Sequence, residues 1–231
     1  MNIKIATTQD GSHTLFNETI GEHYHSVHGA IQESMHIFIQ AGFNALEKKT
    51  GIVNILEIGF GTGLNALLTF QQAAAINIRI NYIAIEPVIL DKSIYTQLNY
   101  AEILGNKELE EVFIKMHVSP WNYPQYISEN FILNKLQAKL EETQLTENAF
   151  DLVYFDAFSP DIQSELWDVE IFKAIYASMK NKGILCTYSA KGAVKRALKT
   201  AGFETENLPG PIGKRQITRA RKEIGMEDCC R

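Results

Sequence analysis

The chain has 231 residues, 45% hydrophobic and 21% charged, with a formal net charge of −5. That length suits one well-buried domain with a small insertion, and the composition is that of an ordinary soluble globule. No apolar run approaches the roughly 18 residues that cross a bilayer, and the 3 cysteines show neither a disulfide framework nor metal-ligand spacing.

The N-terminus, Met1-Asn2-Ile3-Lys4, lacks the charged-then-apolar pattern of a signal peptide, so the cytoplasm is the expected compartment. Residues 3–16 read as a hairpin around Asp10-Gly11, a turn pair that favours positive φ. The block Gly21-Glu22-His23-Tyr24-His25-Ser26-Val27-His28-Gly29-Ala30 then leads into a helix through Glu33, Phe38 and Phe43. Its three histidines have no fourth ligand at a zinc spacing, so the expectation is a pocket wall of aromatic and imidazole groups, with no metal. Residues 1–50 form an N-terminal extension to the domain that follows.

That domain is organised around Val53-Asn54-Ile55-Leu56-Glu57-Ile58-Gly59-Phe60-Gly61-Thr62-Gly63-Leu64-Asn65. A short strand breaks into three glycines and runs into a helix. Glycine permits positive φ and close approach of a ligand, and the first helical N–H groups lack intrahelical partners. The dinucleotide fingerprint has another spacing, G-x-G-x-x-G. Here an acid, Glu57, precedes the glycines, and the next strand ends in Glu86, 23 residues after Gly63. Such acids would repel a pyrophosphate and suit a ligand with positive charge and hydroxyls. S-adenosyl-L-methionine fits, with Glu86 placed to accept from its ribose.

Strand and helix alternate from there, which predicts a mostly parallel, Rossmann-like α/β sheet of seven strands covered on both faces. The expected strands are 52–58, 79–85, 111–117, 151–156, 183–188, 203–207 and 214–220. The expected helices are 64–76, 88–103, 164–180 and 190–201, with Ser164 or Ser159 capping the third. Residues 119–148 are expected as a largely helical insertion that covers substrate, within a domain of 51–222, and 223–231 as a disordered tail carrying Cys229 and Cys230. Ligands in open α/β sheets bind beyond the carboxyl ends of the strands, which here gathers Glu57, Glu86, His117 and Asp156. The last opens Asp156-Ala157-Phe158-Ser159-Pro160, a carboxylate delivered beside a rigid turn.

The net charge conceals an asymmetry. Residues 180–231 hold 12 Lys+Arg and 5 Asp+Glu, while the other 179 residues hold 10 and 22. One face could therefore meet a polyanion.

With these blocks in hand, the chain resembles the methyltransferase half of the bacterial tRNA-modifying MnmC family and its stand-alone relative MnmD, over about residues 16–222. The motifs are Gly29-Ala30 with Glu33-Ser34 and Phe38-Ile39, the glycine loop from Glu57 to Asn65, Phe155-Asp156-Ala157-Phe158-Ser159-Pro160 with Leu166-Trp167, and Thr187-Tyr188-Ser189-Ala190-Lys191-Gly192. The resemblance implies a class I S-adenosyl-L-methionine-dependent methyltransferase. Its substrate would be the aminomethyl nitrogen of 5-aminomethyl-2-thiouridine at the wobble position of the tRNA anticodon loop. FAD is not expected, because the chain is too short for the oxidase half of the bifunctional enzyme.

Asp156 is the expected catalytic residue, orienting the acceptor amine and taking its proton. The expected cofactor residues are Glu57, Gly59, Gly61, Gly63, Asn65, Glu86 and Asp156. The expected substrate residues are Phe158, Ser159, Tyr188, Lys191, Lys214 and Arg215. Phe158, Tyr188 and Trp121 are candidates to stack on a splayed base, and Lys195, Arg196, Lys199, Arg219 and Arg221 are further candidates to follow phosphates. Two alternatives stay open. Aminopropyltransferases of the spermidine-synthase type share the loop and both later acids, but usually carry two further acids where this chain has Thr62 and Ser159. A non-catalytic RNA-binding protein of the same fold would bind no cofactor.

Overall fold

The structure is a computed structural model that describes residues 2–47 and 51–223. At the N-terminus Ile3–Thr7 (β1) and His13–Asn17 (β2) pair antiparallel around Asp10-Gly11, as the sequence predicts, and Glu22–His23 (β3) adds a third strand. The hairpin turn also starts the next helix, Ala30–Ser34 (α1). No side chain of its own caps α1, and Asp10 Oδ2 instead accepts from Gln32 N at 3.0 Å. A distant carboxylate thus satisfies an orphan helical N–H. The helix continues as a π-helical turn, Met35–Gln40, that buries Ile37, Phe38 and Ile39.

The second sheet is built by Ile52–Ile58 (β4), Leu64–Ala75 (α2), Arg79–Ile85 (β5), Lys92–Tyr95 (α3), Tyr100–Ile103 (α4), Glu108–Val118 (α5), Gln125–Ser128 (β6), Phe131–Leu136 (β7), Phe150–Phe155 (β8), Val169–Ser178 (α6), Met179–Thr187 (β9), Gly192–Thr200 (α7), Glu204–Pro209 (β10) and Gln216–Arg221 (β11). Its order is β10-β11-β9-β8-β4-β5-β7-β6. The five central strands are parallel, β6 and β11 run against them, and β10, antiparallel to β11, points the same way as the five. From β4 the chain winds outward through β5 to β7, then returns to β8 on the other side of β4. That reversal opens a crevice beyond the strand ends, the usual ligand position in such sheets.

Both faces of the central strands are covered, so neighbouring residues serve opposite cores. Ile55 and Tyr154 face a cluster with Phe38, Phe43 and Tyr82, while Leu56 and Phe155 face one with Trp167, Phe172 and Leu198. Phe155 packs 4.8 Å from Trp167 and 5.2 Å from Phe172, between ring centroids. Burying each such side chain contributes about 2–3 kcal/mol.

Four expectations change. Residues 111–117 are not a strand but part of α5, whose buried Leu109, Phe113 and Met116 follow helical spacing. The strand beside β5 is β7, so 119–148 carries a β-hairpin rather than a helix, and the sheet has eight strands among the described residues. Residues 88–103 break into the short helices α3 and α4. The cap of α6 is Asp168, which accepts from Glu170 N at 3.0 Å, in place of Ser159 or Ser164. The predicted disordered tail lies outside the described residues beyond Glu223, as do Cys229 and Cys230; Cys186 is a buried free thiol in β9. Among the described residues no helix is long and apolar enough to cross a membrane.

Candidate active site

A cavity of about 470 Å³ lies at the crevice, lined by the ends of β4, β5 and β8, the glycine loop and residues 22–26. Gly59 turns with φ 90°, and a Cβ there would stand 2.6 Å from the Asp156 carbonyl oxygen. Only glycine lets the loop pass this close to the end of β8. At Gly61 a Cβ would press on the Tyr24 ring at 3.2 Å, so the N-terminal extension packs directly onto the loop.

Glu86 holds the loop from the β5 side. Its Oε2 accepts from Gly61 N at 3.2 Å and its Oε1 from Val88 N at 2.9 Å. Burial raises its carboxyl above the ordinary value, and these two hydrogen bonds oppose that.

Asp156 lines the same cavity beside the glycine loop, its backbone N donating to the Ile58 carbonyl at 3.0 Å. Burial, then the charge of Glu33, pushes its carboxyl up to about 7, against the Asn65 hydrogen bond and the charge of Lys214. Asn65 donates from Nδ2 to Asp156 Oδ2 at 2.9 Å. Beyond Asp156, the Tyr188 hydroxyl donates to the Ala157 carbonyl at 2.9 Å, and Ser159 Oγ donates to Glu22 Oε1 at 2.7 Å. Lys214 Nζ stands 4.2 Å above the Tyr188 ring centroid and 3.1 Å from Glu33 Oε1. The cavity thus gathers glycine backbone, several carboxylates and an aromatic face. The donor set fits a ligand that carries hydroxyls and positive charge, as the S-adenosyl-L-methionine reading requires.

A family profile described as S-adenosyl-L-methionine-dependent methyltransferase matches residues 109–223. The bifunctional tRNA 5-methylaminomethyl-2-thiouridine biosynthesis protein MnmC of Paracidovorax citrulli is 29% identical over 230 residues, covering 93% of this chain and 35% of that protein. The MnmC protein of Burkholderia multivorans is 27% identical, covering 92% and 34%. The crystal structure of MNMC2 from Aquifex aeolicus superimposes with a TM-score of 0.79 at 29% identity, over 97% of this chain and 71% of that one. Over residues 109–223 the chain carries the pattern of S-adenosyl-L-methionine-dependent methyltransferases. It spans about a third of the length of these curated relatives and is similar to them in their methyltransferase portion. A spermidine synthase from Thermotoga maritima shares the fold, at 14% identity and a TM-score of 0.55 over 99% of this chain and 75% of that one.

The fold brings Gly59, Gly61, Asn65, Glu86, Asp156, Phe158, Ser159, Tyr188 and Lys214 to this cavity. Four expected site residues stand apart from it. Glu57 is 0% exposed, and both its carboxyl oxygens are buried without a hydrogen-bond partner among the described residues. Burial holds that carboxyl well above the usual range, and Glu57 does not line the cavity. The side of Gly63 where a Cβ would stand faces Phe60 and His117. Lys191 is ion-paired with Asp161 on the surface, and Arg215 is exposed outside the cavity. Trp121 also lies off the cavity, packed on Phe60 under Lys135 Nζ.

His117 sits on α5, not at a strand end, but its Nε2 bonds the Thr62 carbonyl oxygen at 3.0 Å and steadies the glycine loop from outside. The histidine block does line the cavity through His23, Tyr24 and His25. Among the described residues no three His, Cys, Asp or Glu side chains form a metal-holding group. Sequence reasoning did not assign Glu22 and Glu33 to the site. The fold alone carries them there, and only the quoted Glu33-Ser34 pair hinted at the second.

Proposed function

We propose that this methyltransferase transfers a methyl group to the aminomethyl nitrogen of 5-aminomethyl-2-thiouridine at the wobble position of tRNA. The observation that carries the reading is a cavity that brings together the glycine loop, Glu86 and Asp156, with the Asp156 carboxyl pushed up to about 7. Glu86 would accept from the cofactor's ribose hydroxyls, and the backbone of residues 59–63 would lie along the cofactor. When bound, the cofactor supplies an electrophilic methyl carbon on a sulfonium centre, which only a neutral amine can take up.

An alkylamine has a reference pKa of about 10.4, so roughly one in 10³ is neutral at pH 7. Asp156 answers that requirement. Asn65 occupies its Oδ2, so Oδ1 is the oxygen left to orient the acceptor nitrogen and receive its proton. A carboxyl near 7 is matched to proton transfer at neutral pH. Phe158 and Tyr188 would hold a splayed anticodon-loop base, and the basic residues of α7 with Arg215 would follow its phosphates, with binding that weakens as salt rises.

The test is methyl transfer to tRNA bearing the aminomethyl group, with 1,4-diaminobutane as the competing acceptor. The expected result is methylated wobble nucleoside by mass spectrometry, with turnover lost in Asp156→Ala and Asp156→Asn. Turnover with the diamine alone, or near-normal turnover in both variants with cofactor binding intact, would sink the reading.

A further inference from the structure

We propose that Glu33, Asp156 and the face of Tyr188 form a subsite for a primary alkylammonium group, and that Lys214 fills it with its own ammonium until the acceptor enters. The inference rests on the amine-methylating reading and names what recognises the amine. Lys214 Nζ lies 4.2 Å above the Tyr188 ring and 3.1 Å from Glu33 Oε1. An aromatic face beside a carboxylate is the arrangement that holds an organic cation. The head of a lysine, a CH₂–NH₃⁺ group, is chemically the head of an aminomethyl substituent.

The surroundings demand a cation there. Glu33 Oε2 accepts from Ser26 N at 2.6 Å, while Oε1 is buried with no hydrogen-bond partner among the described residues and stands 3.1 Å from Lys214 Nζ. Asp156 feels the charges of both Glu33 and Lys214, and Glu22 adds a third carboxylate through Ser159. Removing the lysine without replacement would leave buried carboxylates uncompensated. An incoming ammonium restores that balance and makes Lys214 redundant. Lys214 can withdraw, because it sits on the turn between β10 and β11 with its side chain 29% exposed. A neutral hydroxymethyl analogue brings no charge and would not displace it.

The probe is n-butylammonium chloride, titrated by NMR into protein saturated with S-adenosylhomocysteine. In the wild type, the Lys214 ε-methylene signal, shifted by the Tyr188 ring current, should move to its solvent value as the probe binds. Lys214→Met should bind the probe about tenfold more tightly, and adding Glu33→Gln to that variant should remove the gain. Unchanged or weaker binding by Lys214→Met overturns the proposal, as does a gain that survives Glu33→Gln. If Lys214→Met fails to hold the cofactor, the wild-type signal decides, and a Lys214 resonance that stays in place at saturation overturns it. No RNA enters this titration. Amine binding without methylation of tRNA would therefore indict the acceptor, and the 1,4-diaminobutane arm would separate a free polyamine from an RNA-borne amine.

Discussion

Asn65 Nδ2 donates to Asp156 Oδ2 at 2.9 Å, tying the first turn of α2 to the end of β8. Asn65 itself is 3% exposed, and its Oδ1 is buried beside Glu57, whose carboxyl burial raises well above the usual range. The glycine loop and the reacting carboxylate therefore share one buried polar seam, and disturbing either should register in the other.

Asp156→Asn should separate stability from activity. The Asp156 carboxyl is pushed from 3.8 to about 7 in the fold, so the native state binds its proton more tightly than the unfolded chain does. Wild-type stability from this group is then full below about pH 4 and falls as pH rises through about 7. Its partial exposure discounts the shift, leaving on the order of 1–2 kcal/mol. Thermal melts should show Asp156→Asn about 3–6 °C above wild type at pH 8 and level with it near pH 4. The same variant should lose about 10²-fold or more in turnover.

Glu57 provides a sharper contrast between two substitutions. Burial raises its carboxyl well above the usual range and so favours the protonated form, and Glu57→Gln should retain cofactor affinity by calorimetry within about threefold. Glu57→Ala should cost about 2–4 kcal/mol in denaturant melts, because it opens a cavity where a fully buried side chain stood. A tenfold loss of cofactor affinity in Glu57→Gln would restore Glu57 as a ligand contact.

Lys135 is a lysine with 1% exposure, its Nζ donating to the His117 carbonyl at 2.8 Å and lying 4.7 Å over the Trp121 ring. Burial lowers its ammonium to about 8, below the unfolded value of 10.5. The unfolded chain then holds the extra proton between those values, so wild-type stability should rise from pH 8 to about 10. Lys135→Met should lack that rise in melts across the same range.

Gly59→Ala should be the costliest single methyl in the loop. At φ 90° the new Cβ would meet the Asp156 carbonyl oxygen at 2.6 Å, a backbone atom with no freedom to yield. We expect a loss of about 2–3 kcal/mol in urea melts and loss of cofactor binding by calorimetry.

Lys135 also explains where the sequence misled. The inward residues of β7 are Phe131, Leu133 and Lys135, a period of two ending in a charge. With a lysine on the buried face, the alternation reads as an amphipathic helix, and the strand was sought at 111–117 instead. There Val112, Phe113, Ile114 and Met116 offer a β-prone run, while helical spacing decides the fold. Asp168, not a serine, caps α6 for a similar reason. Several cap-competent residues crowd 159–168, and only the path of the chain selects among them.

Local chemistry was enough to reveal the glycine loop, its flanking strand and helix, Glu86, and Asp156 at the mouth of the sheet. Each is a strand end or a turn, where neighbours in sequence are also neighbours in space. Only tertiary structure could bury Glu57 under the loop, place His117 on a helix, and bring Glu33 near one end of the chain against Lys214 near the other. Those relations depend on strand order and on how the extension packs over the crevice, and no short-range pattern encodes a meeting between residues so far apart.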